Sequence, residues 1–261
     1  MYSRDFYVSG SISADFTYKD NAELYNKVED IPGEREMLIQ GSKHLLDYAK
    51  RVGRKISILD VCCGTELILD FLSSDFKNRL ESFVGVDISQ KYLDDAKKRI
   101  GSDPRFELVN HDAVLFRHPR KFDVIIASSA YHHIEDERKP DFLNNIFNHL
   151  KDDGIVVFME NIIPKYSNRV ERDSAAIEFY AKRIVDCIDN HEIKDERISL
   201  LSRVMQYERD REYEWKSHYS LFTKHLAAAD LEVISVKKVW PKEKIFSDNN
   251  VGDFVFLVKK K

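Results

Sequence analysis

Short, almost wholly apolar runs recur along this chain, and stretches with helical spacing separate them. KISILDV (55–61), SFVGVDI (82–88), RFELVNHD (105–112), FDVIIASS (122–129) and GIVVFMEN (154–161) read as five strands, and LEVISVKKVW (231–240) and DFVFLVKK (253–260) add two more. GTELILDFLSSDF, SQKYLDDAKKRI and KPDFLNNIFNHL are the helical stretches among the first five; the link between the third and fourth strands is short, and no helix is assigned there. Strands that are apolar on both faces need cover on both faces, so the pattern calls for an α/β fold with a parallel sheet between helices. The link SDNNVG suits an antiparallel hairpin of the last two strands at one edge.

Two regions fall outside this alternation. Residues 1–50 form an N-terminal arm with an aromatic-rich start (Phe6, Tyr7, Phe16, Tyr18, Tyr25) and a helix ending near Arg51. Residues 165–230 are charged and helix-patterned, too long for a simple crossover. The portion 165–215 is expected to be a lid over the carboxyl edge of the sheet, where open α/β sheets bind ligands; plain helical cover is the alternative. The whole chain, 1–261, is read as one domain.

Charge narrows the range of functions. Lys+Arg 41 against Asp+Glu 45 leaves a formal net charge of -4. The basic spots are short, RHPRK around Arg117 and the run Lys259 to Lys261. A nucleic-acid footprint needs more clustering than this, so no nucleic-acid partner is expected. No run approaches the roughly 18–20 apolar residues that span a membrane, and the start lacks the features of a signal peptide. The expectation is a cytoplasmic protein with no membrane partner; the oligomeric state is open. Three cysteines without C-x-x-C or nearby Cys/His spacing make neither a disulfide framework nor a zinc site, so no metal is expected.

The sharpest local signal is ILDVCCGTELIL, residues 58–69. A strand that ends in small residues and opens a helix presents backbone N–H groups and the positive end of a helix dipole to a ligand. The second strand ends in Asp87, an acid placed to accept from two ribose hydroxyls. The third ends in His111-Asp112, where a carboxylate meets an adenine amino group. Acidic strand ends on three successive strands point to an adenosine-containing ligand. Glu66 at the helix start would repel a pyrophosphate, which disfavours a dinucleotide; a ligand bearing a sulfonium and an ammonium tolerates it.

On these residues the chain resembles the class I S-adenosylmethionine (SAM)-dependent methyltransferases, over roughly residues 52–160 and 215–260. The family's first motif, approximately D/E-x-G-x-G-x-G, is represented here by Asp60-Val61-Cys62-Cys63-Gly64-Thr65-Glu66. The resemblance implies a Rossmann-like seven-stranded sheet in the order 3-2-1-4-5-7-6 with strand 7 antiparallel. It also implies SAM as cofactor, held by Asp60, Cys62, Gly64, Glu66, Asp87, Ile88, Asp112, Ala113 and Ser128, with Tyr18 and Tyr25 of the arm closing over it. Glu66 departs from the motif and either turns outward, caps its helix or meets an ammonium. FDVIIASSAYHHIED resembles the fourth-strand segment and His-His turn of small-molecule methyltransferases. A fainter similarity to carboxy-SAM synthases covers DNAELYNKVEDIPGEREMLI and the stretch before HYSLFTKHLAAADLEVISVKKVW.

The implied activity is methyl transfer from SAM to an N, O or C nucleophile of a small molecule. The alternatives are an RNA or protein methyltransferase, a carboxy-SAM synthase-like enzyme and a non-catalytic SAM-binding subunit. The candidate catalytic residues are His133, His132 and Glu160. An imidazole with its unperturbed pKa of ~6.5 suits a general base, and His133, one step further from the strand, is favoured. Tyr131, His133, Glu160 and Tyr219 are the candidate substrate contacts, with Tyr166, Tyr180, Tyr207 and Trp215 as further aromatics of the lid. The charge run ERDREYEWK reads as a solvated helix face.

Overall fold

The structure, a computed structural model, describes residues 26, 31–191, 195–210 and 214–261. Tyr18 and Tyr25 lie outside the described residues.

The seven expected strands form one sheet: β1 (Ile56–Val61), β2 (Leu80–Asp87), β3 (Phe106–Asn110), β4 (Phe122–Ser128), β5 (Leu150–Ile162), β6 (Leu231–Trp240) and β7 (Gly252–Lys260). Their order is β3-β2-β1-β4-β5-β7-β6, as the resemblance implies. β1 pairs in parallel with β2 and β4, while β7 pairs antiparallel with β5 and β6. The strand order reverses between β1 and β4, which opens a crevice at their carboxyl ends.

Alternate strand residues feed two cores. Leu59, Val61, Ile125, Ala127 and Phe158 join Phe142 of α4 (Lys139–His149) and Phe222 of α7 (Tyr219–Ala228) on one face. Ile56, Ile58, Val124, Ile126 and Val157 join Met37, Leu38 and Leu45 of α1 (Pro32–Val52) on the other. Gly41 lets α1 lie close to β5: a Cβ there would stand 2.5 Å from Met159 Sδ. Burial on this scale, at about 25 cal/mol per Å² of apolar surface, is the main stabilising force.

One helix differs from expectation. GTELILDFLSSDF forms a 3₁₀ turn, Leu67–Phe71, then a separate short helix, α2 (Ser74–Asn78). Glu66, the cap of the 3₁₀ turn, is left-handed at φ 56, and Ser73 Oγ accepts the Phe76 N–H at 3.2 Å to start α2 afresh. By contrast, SQKYLDDAKKRI becomes α3 (Gln90–Ile100), capped by Ser89, much as its pattern predicts.

The insertion between β5 and β6 contributes α5 (Arg169–His191) and α6 (Asp195–Asp210). Phe179, Tyr180, Cys187, Leu201 and Val204 pack with Trp240, Phe246 and Val251 in a satellite core. Buried Arg183 of α5 bonds Glu34 of α1 at 2.6 Å and also bonds Asp253 of β7. Asn161 Nδ2 donates to the same two acids, at 2.9 and 2.8 Å. The insertion is thereby fastened to the sheet and to α1.

Candidate active site

The first-motif turn has an unusual backbone. Cys62, Gly64 and Glu66 all have positive φ, 57, 55 and 56 respectively. These are the three glycine positions of the D-x-G-x-G-x-G pattern. Left-handed backbone costs a residue with a Cβ about 1–2 kcal/mol, so two of the three positions bear a strain that glycine avoids. The turn is held by Cys63 N–H to Val86 O at 3.1 Å and Glu66 N–H to Cys63 O at 2.9 Å. Burial, followed by the nearby carboxylates, pushes both turn thiols well above the usual range. They stay protonated, which suits small packing residues better than nucleophiles.

Asp87 joins this turn to β2. Its Oδ2 accepts the Gly64 N–H and its Oδ1 the Ser89 N–H, both at 2.8 Å. Ile88 continues from it, with its carbonyl taken by Asn110 Nδ2 at 2.7 Å. Asp112, after β3, accepts the Val114 N–H at 2.8 Å and Arg138 at 2.5 Å, and Ala113 beside it is buried. Asp60 ends β1 almost fully buried, and its Oδ1 lacks a hydrogen-bond partner among the described residues. A narrow cavity opens there, lined by Leu38, Asp60, Cys62, Cys63, Thr65 and Ser128 among others. Burial, then the proximity of Asp87, raises the Asp60 carboxyl well above the usual range.

Glu66 does not line that cavity. Its side chain is fully buried and turned toward Gly85 of β2. Apart from the weak Cys63 thiol, neither carboxyl oxygen has a donor among the described residues. Burial, reinforced by Asp60, drives this carboxyl strongly upward, so it is a neutral acid beneath the turn. The structure therefore corrects the expectation that Glu66 turns outward.

The His-His turn is a 3₁₀ turn, Tyr131–His133. Glu160 of β5 holds it: Oε1 accepts the N–H groups of Ala130 (3.1 Å) and Tyr131 (2.7 Å), and Oε2 lies 2.7 Å from His132 Nδ1. Glu160 is thus engaged in positioning the turn. Burial, opposed by these contacts, raises it to about 7. His132 is buried and pushed well below its usual range by burial and then by Lys216, so its ring is neutral. His133 retains 26% side-chain exposure.

Two of the candidate tyrosines pack against the core, Tyr131 buried and Tyr219 partly buried. Tyr131 is 1% exposed, edge-on to Phe222, with its hydroxyl 2.5 Å from His225 Nδ1. Tyr219 packs against Phe254 and Phe256. Tyr180 is buried in the satellite core, Tyr166 donates to Lys216 O at 3.3 Å, and Tyr207 is half-buried on α6.

The charge run is the larger surprise. Glu208, Glu214 and Lys216 are buried, and among its described residues only Arg209 and Asp210 are exposed. Lys216 Nζ lies 2.5 Å from Glu214 Oε2, Glu208 bonds the buried Arg172, and Trp215 N–H donates to His132 O at 2.6 Å. Burial opposes ionisation of Glu214, but the charge and hydrogen bond of Lys216 together with the neighbouring His133 and His132 outweigh it and hold that carboxyl at about 2. The end of the insertion is thus bonded directly to the His-His turn. Sequence reasoning named Trp215 only as an aromatic and missed Glu214 altogether.

Residues 58–154 match a family described as methyltransferase domain. This match runs from within β1 into β5 and includes Asp60, Asp87 and Asp112. Residues 58–154 are thus similar to a methyltransferase domain, and the sheet around them has the strand order of the class I SAM-dependent methyltransferase fold. Malonyl-acyl-carrier-protein O-methyltransferase 1 of Ilyobacter polytropus is 25% identical over 134 residues, 51% of this chain and 42% of that protein. The chain thus spans less than half the length of that curated relative. Among solved structures, the fold resembles Burkholderia thailandensis 1,6-didemethyltoxoflavin-N1-methyltransferase, with a TM-score of 0.59 at 14% identity over 100% of this chain and 92% of that one. It also resembles the N-methyltransferase NodS of Bradyrhizobium japonicum WM9 in complex with S-adenosylhomocysteine, with a TM-score of 0.56 at 14% identity over 90% of each chain.

The matched residues fit SAM. Asp60, whose Oδ1 lacks a hydrogen-bond partner among the described residues, lines the cavity, and Asp87 holds the turn beside it; acids there suit a cationic ligand.

Proposed function

We propose that this chain transfers a methyl group from SAM to an N, O or C nucleophile of a small molecule. The observation that carries the proposal is the crevice between β1 and β4, where the unpartnered Asp60 oxygen, the left-handed turn at Gly64 and Asp87 converge. Asp60 would take the ammonium, Asp87 the ribose hydroxyls, and Asp112 with Ala113 the adenine. When bound, the cofactor supplies an electrophilic methyl group on its sulfonium.

The chain's residues then have to position an acceptor and keep water away. Orienting two reactants in one crevice accounts for a large part of catalysis of this kind. The His-His turn, fixed by Glu160 and by Trp215 N–H, provides a rigid wall at the acceptor side, with His133 as its more exposed group. The fastened insertion supports an enclosed site, which favours a small acceptor. Structures sharing the fold include one with bound 1,6-didemethyltoxoflavin, itself a small molecule.

The test is incubation with methyl-labelled SAM and separated small-molecule, RNA and protein fractions. Label in a small-molecule product supports the proposal. Label confined to RNA or protein, or no transfer to any fraction, contradicts it.

A further inference from the structure

The turn after β4 and the end of the insertion bring together His132, His133 and Glu214, whose ligand atoms all lie within 4.8 Å of one another. His132 Nε2 is 3.7 Å from Glu214 Oε2, and His133 Nδ1 is 3.9 Å from Glu214 Oε1. Donors held at ~2.0–2.1 Å around a tetrahedral zinc ion stand roughly 3.3–3.4 Å apart, so these two pairs close by about half an ångström, and the widest separation in the group, within 4.8 Å, closes by up to about 1.4 Å through side-chain rotation. We propose that His132 Nε2, His133 Nδ1 and the Glu214 carboxylate bind a divalent transition-metal cation, for which zinc is the best match, leaving one coordination position for an acceptor oxygen or water.

Two features support this beyond proximity. Glu160 stands behind His132, 2.7 Å from Nδ1, in the carboxylate–histidine–metal arrangement that fixes a ligand's ring. Finally, the ammonium now on Glu214 has an alternative partner. Lys216 Nζ is 3.6 Å from Glu208 Oε2, an oxygen without a hydrogen bond among the described residues, and can lean that way when a metal takes up Glu214.

The expectation of no metal rested on cysteine spacing. These ligands come instead from β4's turn and from a distant insertion, and they meet only in the fold. An ion there would bridge sheet and insertion and could polarise an acceptor hydroxyl or carboxylate beside the methyl group. The proposal goes beyond methyl transfer, because metal binding requires neither cofactor nor acceptor.

The test uses the full chain, stripped with chelator and titrated with zinc chloride by calorimetry. Cobalt(II) serves as a second probe, whose visible absorption reports a low-symmetry nitrogen and oxygen site. S-adenosylhomocysteine binding is measured in parallel. One zinc ion per chain is expected, with affinity at least about tenfold weaker in His133→Ala and in Glu214→Gln and circular dichroism unchanged. Failure to bind zinc, or equal binding in the wild type and His133→Ala, overturns the proposal. If Glu214→Gln does not fold, His133→Ala decides alone, since that side chain is partly exposed. Zinc binding without S-adenosylhomocysteine binding would leave the metal site standing and remove the methyl-transfer reading.

Discussion

Glu66 Oε1 occupies the space that a Cβ on Gly85 would need. The bulky acid at the third glycine position of the turn is therefore accommodated by a glycine on the neighbouring strand. Gly85→Ala would force a collision with Glu66 and crowd Leu108 and Cys63. Overpacking of this kind costs about 1–3 kcal/mol, which denaturant unfolding would register. Glu66→Gly should act in the opposite direction. It removes left-handed strain of about 1–2 kcal/mol and a buried carboxyl lacking a strong donor, while losing some packing. A raised midpoint and unchanged S-adenosylhomocysteine affinity are expected; a large loss of affinity would place Glu66 at the ligand after all.

Arg183 is shared by Glu34 and Asp253 in a buried cluster. Arg183→Leu leaves two acids without their guanidinium. Breaking a buried ion pair from one side costs about 3–5 kcal/mol. Thermal unfolding should show that loss, and a change under about 1 kcal/mol would mean the cluster is effectively solvated.

The same cluster makes stability depend on pH. Burial, resisted by Arg183 but aided by Glu34, raises Asp253 to about 7. A carboxyl that is a weaker acid when folded contributes stability that is complete below its unfolded value near ~3.9 and lost as pH rises through 7. Stability measured between pH 4 and about 7 should therefore fall less steeply in Asp253→Asn than in the wild type. Parallel curves would remove Asp253 from that slope.

Hydrogen exchange distinguishes a moving lid from fixed cover. α5 is pinned through Arg183, Phe179 and Tyr180. Its amides should be protected to the same extent with and without S-adenosylhomocysteine. Protection that appears only with ligand would restore the lid expected from the sequence.

The sheet was legible because its strands are apolar on both faces, and Ile58 and Leu59, or Val124 and Ile125, indeed feed opposite cores. Asp60, Asp87 and Asp112 were legible because each stands at or just beyond a strand's carboxyl end. The broken helix after β1 was not, since its apolar spacing is helical and the extended backbone at Leu72 and Ser73 interrupts it. Glu208, Glu214 and Lys216 were hidden for another reason. Their charges read as solvated, and they are buried only because they neutralise one another and Arg172 across separate elements. Tyr131 stands in the His-His turn beyond β4, and its ring packs edge-on to Phe222 in the core.

The most direct measurement of SAM binding in the crevice is calorimetric titration of the full chain with S-adenosylhomocysteine, in the wild type and in Asp87→Ala. Asp87 is proposed to hold two ribose hydroxyls through charge-assisted bonds, each worth about 1.5–3 kcal/mol. One ligand per chain is expected, with an affinity at least about tenfold weaker in the variant and the fold intact. No binding by the wild type, or equal binding by the two proteins, would contradict the assignment of this crevice to the cofactor.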